Sequence, residues 1–477
     1  MKDLTKGNII KLLLAFSIPL LIGNVFQQLY NIVDTKVVGE FLGSNALAAI
    51  GASSPLFSMI MGALNGMGNG FGIVISKFYG AKDPRHMKQA VANSIVLAAL
   101  ISVIVTILAM FMVKPLLLLL NTPEEILQQS MDYIRIIILF MIVTTAYNLC
   151  AGMLRALGDT IRPLIFLAIS TVINVGLDLL FVGVLQWNVQ GAAYATVIAQ
   201  IVSFVCCIVY IIRRCPELHV AKEDFVFEGK MVGDLLGQGG AMAFMLCFVY
   251  IGTLILQGAI NSFGTDIIAA HTIARKVSEL GMVPFSTFGV AAATFTGQNY
   301  GAGEYQRIRK GAWDALIISW IWSAIVITVV YAAAPLLIRL ISGVADNMEG
   351  SLSVWQYLIR RLNHQELPDG TKESITQWAT WYLQFDTPFY FVLGIVITLR
   401  NALQGLSQKI IPMIASGIEL LGKLIVAWVL AERIGYWGII ISEPVTWILM
   451  ALLLGISFLV ILRKKEGTNN ITSRQVI

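Results

Sequence analysis

Apolar residues in this chain come in long runs separated by short polar breaks. Neither the two-residue alternation of a half-buried strand nor the narrow stripe of a helix on a soluble core is repeated along it. The first run, Ile9 to Val38, reads IIKLLLAFSIPLLIGNVFQQLYNIVDTKVV. It holds about 25 mostly apolar residues, enough at ~1.5 Å per residue to cross ~30 Å of hydrocarbon. Comparable runs fall at 10–36, 48–76, 89–113, 128–152, 161–185, 190–212, 232–261, 267–297, 310–341, 378–402, 410–432 and 437–463. The pattern predicts an all-α integral membrane protein with about twelve transmembrane helices. The first run is too long for a cleavable signal and lacks a small-residue cleavage site, so it is expected to be retained.

Composition sharpens that reading. Of 477 residues, 57% are hydrophobic and only 13% charged, about half the charged share of a soluble domain. The net charge of +5 needs no nucleic-acid partner, because Lys and Arg crowd into alternate connections, as membrane topology requires. One set carries 22, namely Lys2, Lys6, Lys11, Lys77, Lys82, Arg85, Lys88, Arg155, Arg162, Arg213, Arg214, Lys222, Lys230, Arg307, Arg309, Lys310, Arg400, Lys409, Arg463 to Lys465 and Arg474; the other carries seven, Lys36, Lys114, Arg339, Arg360, Arg361, Lys372 and Arg433. This asymmetry predicts both termini on the cytoplasmic side and an even number of spans.

The chain repeats itself. FLGSNALAAIG at Phe41 matches SFGTDIIAAHT at Ser262, and KFYGAKD at Lys77 matches QNYGAGE at Gln298. Gly43 pairs with Gly264 and Gly80 with Gly301, both at an offset of 221 (264 − 43 = 301 − 80). GMLRALGDTIRP, ending at Pro163, pairs with NALQGLSQKIIP, ending at Pro412, at an offset of 249 (412 − 163). The second half has therefore gained 28 residues (249 − 221). They are expected in an extracellular insertion near 342–377, with a helical rhythm at Trp355, Leu358, Ile359 and Leu362 and a turn at Pro368–Gly370. The polar connection Arg213–Lys230 divides the halves, giving two pseudo-symmetric six-helix lobes, 1–218 and 219–477. Parallel repeats of this kind are a transporter architecture, with binding at the repeat interface.

Chemistry is sparse. The five cysteines fall in no predicted outward loop, and His86, His219, His271 and His364 are scattered. Neither a disulfide framework nor a histidine metal site is implied. No GxSxG elbow or phosphate loop suggests an enzyme or a nucleotide cofactor. No filter-like repeat suggests a channel.

The informative residues are ionisable ones inside the runs, because burying a charge in hydrocarbon is costly and marks a functional position. Asp34 sits near the outer end of the first run. Asn174 and Asp178 are four apart on the fifth and share a helix face. Thr196 lies shortly after the sixth begins. All four fall at similar depth in the first lobe. Two carboxylates, an amide and a hydroxyl make a proton site or a set of hard oxygen ligands for Na⁺. Loss of water and a like neighbour both penalise a doubly ionised pair, which one proton or Na⁺ would relieve. Pro19, in the same run as Asp34, removes a backbone donor and can bend its helix.

These motifs resemble the multidrug and toxic compound extrusion family over nearly the whole chain. The resemblance rests on NIVDTKVVGEFLGSNALAAIG (Asn31–Gly51), ISKFYGAKD (Ile75–Asp83), LRALGDTIRP (Leu154–Pro163), INVGLDLLFV (Ile173–Val182), GAAYATVIAQ (Gly191–Gln200) and GQNYGAG (Gly297–Gly303). In outline the chain is similar to the bacterial branch that includes the DNA-damage-inducible type. The resemblance implies a transporter in the bacterial cytoplasmic membrane, and since a two-lobe chain can form its own pathway a monomer is expected. It would export amphipathic or cationic small molecules by alternating access against inward H⁺ or Na⁺, with no other cofactor. Asp34, Asn174, Asp178 and Thr196 match the family's amino-lobe acid site, and Pro19 matches its first-span proline. A second family site uses an acid in span seven. This chain carries none there, the position falling near Val249, so coupling is expected in the first lobe.

The second lobe keeps other charges. Glu419 and Lys423 are four apart and read as an ion pair; Arg275, Lys276 and Glu279 cluster on span eight. Asp386 and Glu443 are the acids best placed to meet a cationic compound in the substrate cavity. The alternative to a drug exporter is a lipid-linked precursor flippase of the same superfamily, whose cavity would be more basic than these mixed charges.

Overall fold

The computed structural model describes residues 3–120, 122–342, 353–362 and 374–474. Among them there are helices and turns and no strand. In chain order the α-helices are α1 (Ile9–Gly80), α2 (Pro84–Leu119), α3 (Glu124–Leu139), α4 (Met141–Ala156), α5 (Ile161–Asp178), α6 (Asn188–Arg214), α7 (Gly229–Ile260) and α8 (Thr265–Gly301). They continue as α9 (Tyr305–Ser342), α10 (Val354–Leu362), α11 (Ile375–Asp386), α12 (Tyr390–Gly405), α13 (Ile410–Ile425), α14 (Ala431–Ile434) and α15 (Tyr436–Arg474).

Local chemistry sets the boundaries. The Asn8 side chain accepts from the Lys11 N–H to start α1, and Asp83 does the same for α2 through the His86 N–H, each satisfying an orphan donor. Ten of the described helices are long and apolar enough to cross a bilayer, and α3 with α4, bent by 49° at Phe140, supplies another crossing. At 72 residues, α1 is far longer than one crossing requires, and it breaks at Gly43, where φ is +83°. Counting its two arms separately brings the spans to the expected twelve. Their outer surfaces carry large exposed side chains, among them Phe111, Val172, Val184 and Ile456, which only lipid would solvate favourably.

The repeat is visible in the backbone. Gly264 carries φ +90° where its partner Gly43 carries +83°, a left-handed conformation that costs glycine little. Gly80 and Gly301 approach reciprocally: a Cβ on the first would overlap the Gln298 carbonyl, and on the second the Lys77 carbonyl. Asp178 ends α5 and leads into a π-helical turn, Leu179–Val184; the second half has the same feature after α13, at Val426–Leu430. Pro19 lies in a part of α1 whose backbone stays helical, so the proline costs one backbone hydrogen bond without a break.

The chain divides into two compact units. The first comprises 1–247, 293–308 and 404–410, and the second 248–292, 309–403 and 411–477. This partition differs from the sequence repeat in giving the first unit three pieces of the second half, 219–247, 293–308 and 404–410. The core of the first unit is built from Phe71, Ile75, Ile134, Ile138, Met141 and Leu154. In the second unit Trp381, Tyr390 and Phe285 are fully enclosed. Of the expected insertion, Val354–Leu362 is the helix its rhythm predicts. It is tied down by Trp355 Nε1, which donates to the Tyr331 hydroxyl at 2.8 Å, and by the Val354 N–H, which donates to Gln384 Oε1 at 3.2 Å. The Pro368–Gly370 turn lies outside the described residues.

Candidate functional site

The first unit brings the four expected residues together from three helices. α1 supplies Asp34, α5 supplies Asn174 and Asp178, and α6 supplies Thr196. Asp178 and Asn174 are buried, at 0% and 1% exposure. With its amide turned to suit its neighbours, Asn174 donates to Asp178 Oδ2 at 2.8 Å and accepts from the Thr196 backbone N–H at 3.2 Å. The i, i+4 spacing on α5 is what lets the amide and the carboxylate meet. The carboxyl groups of Asp34 and Asp178 face each other at hydrogen-bonding range. Asp34 Oδ1 and Asp178 Oδ1 are both buried and receive no donor from any described residue.

That arrangement has a chemical consequence. Two carboxylates are acceptors only, so neither can satisfy the other, and no Lys or Arg answers them in the described structure. A proton between them would supply the missing donor. A Na⁺ would be met by carboxylate oxygens, the hard ligands such an ion prefers. No group of three or more His, Cys, Asp or Glu side chains suited to a heavier metal occurs among the described residues.

The second unit treats its charges differently. Arg275 Nη1 reaches both oxygens of Glu443 at 2.9 Å, and Lys423 Nζ lies 2.9 Å from Glu419 and 3.9 Å from Glu443. The hydroxyl of Tyr382 lies 3.5 Å from Glu443 Oε2 and from Arg275 Nη1. The Glu419–Lys423 pair is the one read from the spacing. The link between Arg275 and Glu443 was not legible: 168 positions separate them, and the sequence grouped Arg275 with its neighbours on α8. Tyr382 was also missed; its i, i+4 spacing from Asp386 was the available signal.

This network revises one expectation. The sequence reading pairs Asp386 with Glu443 as acids for a cationic compound. Glu443 is already answered by Arg275 and Lys423, so its charge is spent inside the protein. Asp386 is 0% exposed, with both carboxyl oxygens lacking a hydrogen-bond partner among the described residues. The stem of Lys423 runs along α7, where a Cβ on Gly252 would meet its Cδ at 2.8 Å. This is one helical turn from Val249, the position where span seven lacks an acid.

Comparison with known proteins follows the same lines. The MatE family model matches residues 19–180 and 241–359. Probable multidrug resistance protein YoeA of Bacillus subtilis is 27% identical, over 72% of this chain and 77% of its own length. Probable multidrug resistance protein NorM of Thermotoga maritima is 23% identical, over 88% of this chain and 86% of its own. Among solved structures, a MATE crystal structure in the bent conformation superposes with a TM-score of 0.85 at 21% identity, covering 98% of both chains. An outward-facing multidrug resistance MATE family transporter of the MOP superfamily gives 0.83 at 20% identity, covering 97% of this chain and 98% of its own.

Proposed function

We propose that this chain, which belongs to the MatE family, is a multi-pass multidrug efflux transporter that exports cationic or amphipathic compounds by antiport against H⁺ or Na⁺. The observation that carries the reading is the facing carboxyl groups of Asp34 and Asp178, each with one buried oxygen that receives no donor among the described residues, in a twelve-span fold. A coupling ion must bind and leave. A buried acid pair held by Asn174, with no Lys or Arg paired to it among the described residues, is a place where it can do both. Entry of the ion from outside would join Asp34 to Asp178 and favour a shape of the first span with lower affinity for the exported compound. Pro19 removes the backbone hydrogen bond that would resist such bending. Both termini are placed in the cytoplasm on the Lys and Arg asymmetry.

The relatives' names support the exported class: both YoeA and NorM are called probable multidrug resistance proteins. The charge balance of the second unit weighs against a lipid-pyrophosphate flippase. There Arg275 and Lys423 are matched by Glu443 and Glu419, so this cluster gives a pyrophosphate no unopposed pair of cations.

The test is ethidium efflux from energised cells, with and without Na⁺ and with a proton uncoupler. Asp34→Asn is expected to reach the membrane at the wild-type level and to lose efflux, with the Na⁺ and uncoupler arms naming the ion. Wild-type efflux by Asp34→Asn would overturn the coupling role. Failure of both proteins to move any cationic dye would bring the flippase forward.

A further inference from the structure

A cavity of about 720 Å³ opens on the first unit, away from the acids. Its wall includes Ala98 of α2, Ala146 and Met153 of α4, Phe204 and Ile212 of α6, and His219 of the connection beyond α6. Three features say what fits there.

The first is that its wall is almost wholly apolar. The polar side chains in it are Thr145, Cys150 and His219. The Thr145 hydroxyl is taken by the Met141 carbonyl at 3.0 Å, and His219 Nε2 lies 3.1 Å from the Ile211 carbonyl oxygen. No carboxylate lines the cavity, so a cationic drug would find no counter-charge.

The second is its length and level. Along α4 it runs from Ile142 to Met153, about 16 Å at 1.5 Å per residue, or half of a ~30 Å hydrocarbon core. The parts of α2 and α6 that line it are the halves nearest Pro84 and Arg214. The cavity therefore spans one leaflet, on the Lys- and Arg-rich side.

The third is the charge at its polar end. Ile212 lines the cavity, and Arg213 and Arg214 follow it directly in the last turn of α6, both exposed. Neither has an ion-pair partner among the described residues. Of the nearby acids, Glu217 lines a separate pocket with Tyr79 and Lys82, and Asp224 accepts from the Ala221 N–H at 2.7 Å. Glu223 remains exposed.

We infer that this groove holds one acyl chain of an anionic phospholipid from that leaflet, with the headgroup on Arg213 and Arg214. An apolar slot one leaflet deep, followed along α6 by two exposed arginines within side-chain reach of the same membrane surface, matches the two parts of such a lipid. Basic residues beside the membrane surface attract anionic headgroups in this way. The occupant is thus a resident of the bilayer and not a transported compound.

Native mass spectrometry of the full chain, stripped of lipid and titrated with phosphatidylglycerol or phosphatidylcholine, tests this. The wild type is expected to retain one phosphatidylglycerol in preference to phosphatidylcholine by roughly tenfold or more. Arg213→Gln with Arg214→Gln, a surface change that spares the groove, should erase the preference. Ala146→Phe, which narrows the groove, should lower retention of both lipids. Unchanged preference in the double variant would overturn the headgroup assignment. Unchanged retention in Ala146→Phe would overturn the groove assignment. Displacement of bound phosphatidylglycerol by ethidium would show the occupant to be a transported compound and sink the proposal.

Discussion

The two halves of this chain began from one template and now handle buried charge in opposite ways. At the offsets that align them, Asp34 corresponds to Ile255, Asn174 to Lys423 and Asp178 to Ala427. The first half keeps two acids and sets no Lys or Arg against them among the described residues. The second has lost both and has placed a lysine where the first has an amide. Its buried Glu443 is answered by Arg275 and Lys423, cations that are covalently part of the chain, while its Asp386 is buried with no hydrogen-bond partner among the described residues. An ion that must be exchanged needs acids whose partner can leave. A structural network needs partners that stay. On the function proposed above, exchange falls to the Asp34–Asp178 pair and support to the network of Glu443 with Arg275 and Lys423, so neutralising the two is expected to read out on different axes.

The largest effect expected is on stability, from Glu443→Gln. Arg275 and Lys423 would then face each other across a buried site without their shared acid. Removing one partner of a buried ionic group costs about 3–5 kcal/mol, because the remaining charge is left uncompensated. Thermal unfolding in detergent should show a large drop, together with reduced amounts in the membrane. Wild-type unfolding would mean that water reaches this network, and the contrast with the first unit would fail.

Next in size is Asp178→Asn, and here the axis changes. Asparagine keeps the shape and removes one of two facing acceptors that have no donor. Folding should lose nothing, so the unfolding temperature is expected to stay level or rise. Drug efflux, however, should fall by at least about tenfold, which corresponds to about 1.4 kcal/mol lost from coupling. A stable, well-inserted and inactive protein would separate the two units cleanly. A variant that unfolds instead would place Asp178 with Glu443 as a structural acid.

Much of this contrast was legible in the sequence, and the physical reason is locality. Span lengths follow from the thickness of the bilayer. The repeat showed itself through Gly43 and Gly264, whose positive φ is a backbone demand that favours the same residue type in both copies. Asn174 with Asp178, and Glu419 with Lys423, are one helical turn apart and had to meet. Contacts that close over long sequence distances were not legible. Arg275 finds Glu443 on another helix, and Leu4, ahead of α1, offers its N–H to Gln298 and its carbonyl to Asn299. The 49° bend at Phe140 was hidden as well, since neither proline nor glycine marks it.

The smallest effect, and the finest probe of the comparison, is Lys423→Met. Lys423 is 2% exposed and lies 2.9 Å from Glu419 but 3.9 Å from Glu443. Its removal deprives Glu419 of its partner, yet Glu443 keeps both contacts to Arg275. Glu419 retains some exposure, with 13% of its side chain open, and so can recover part of its hydration. Methionine fills the space of the lysine stem against Gly252 without a charge. The expected loss is therefore about 1 kcal/mol, the size of a single net hydrogen bond, read as a small fall in unfolding temperature with efflux retained. A loss as large as that of Glu443→Gln would show that the four charges act as one unit. A loss of efflux without loss of stability would give the second unit a part in coupling, through the very position that aligns with Asn174, and the division of labour between the halves would have to be withdrawn.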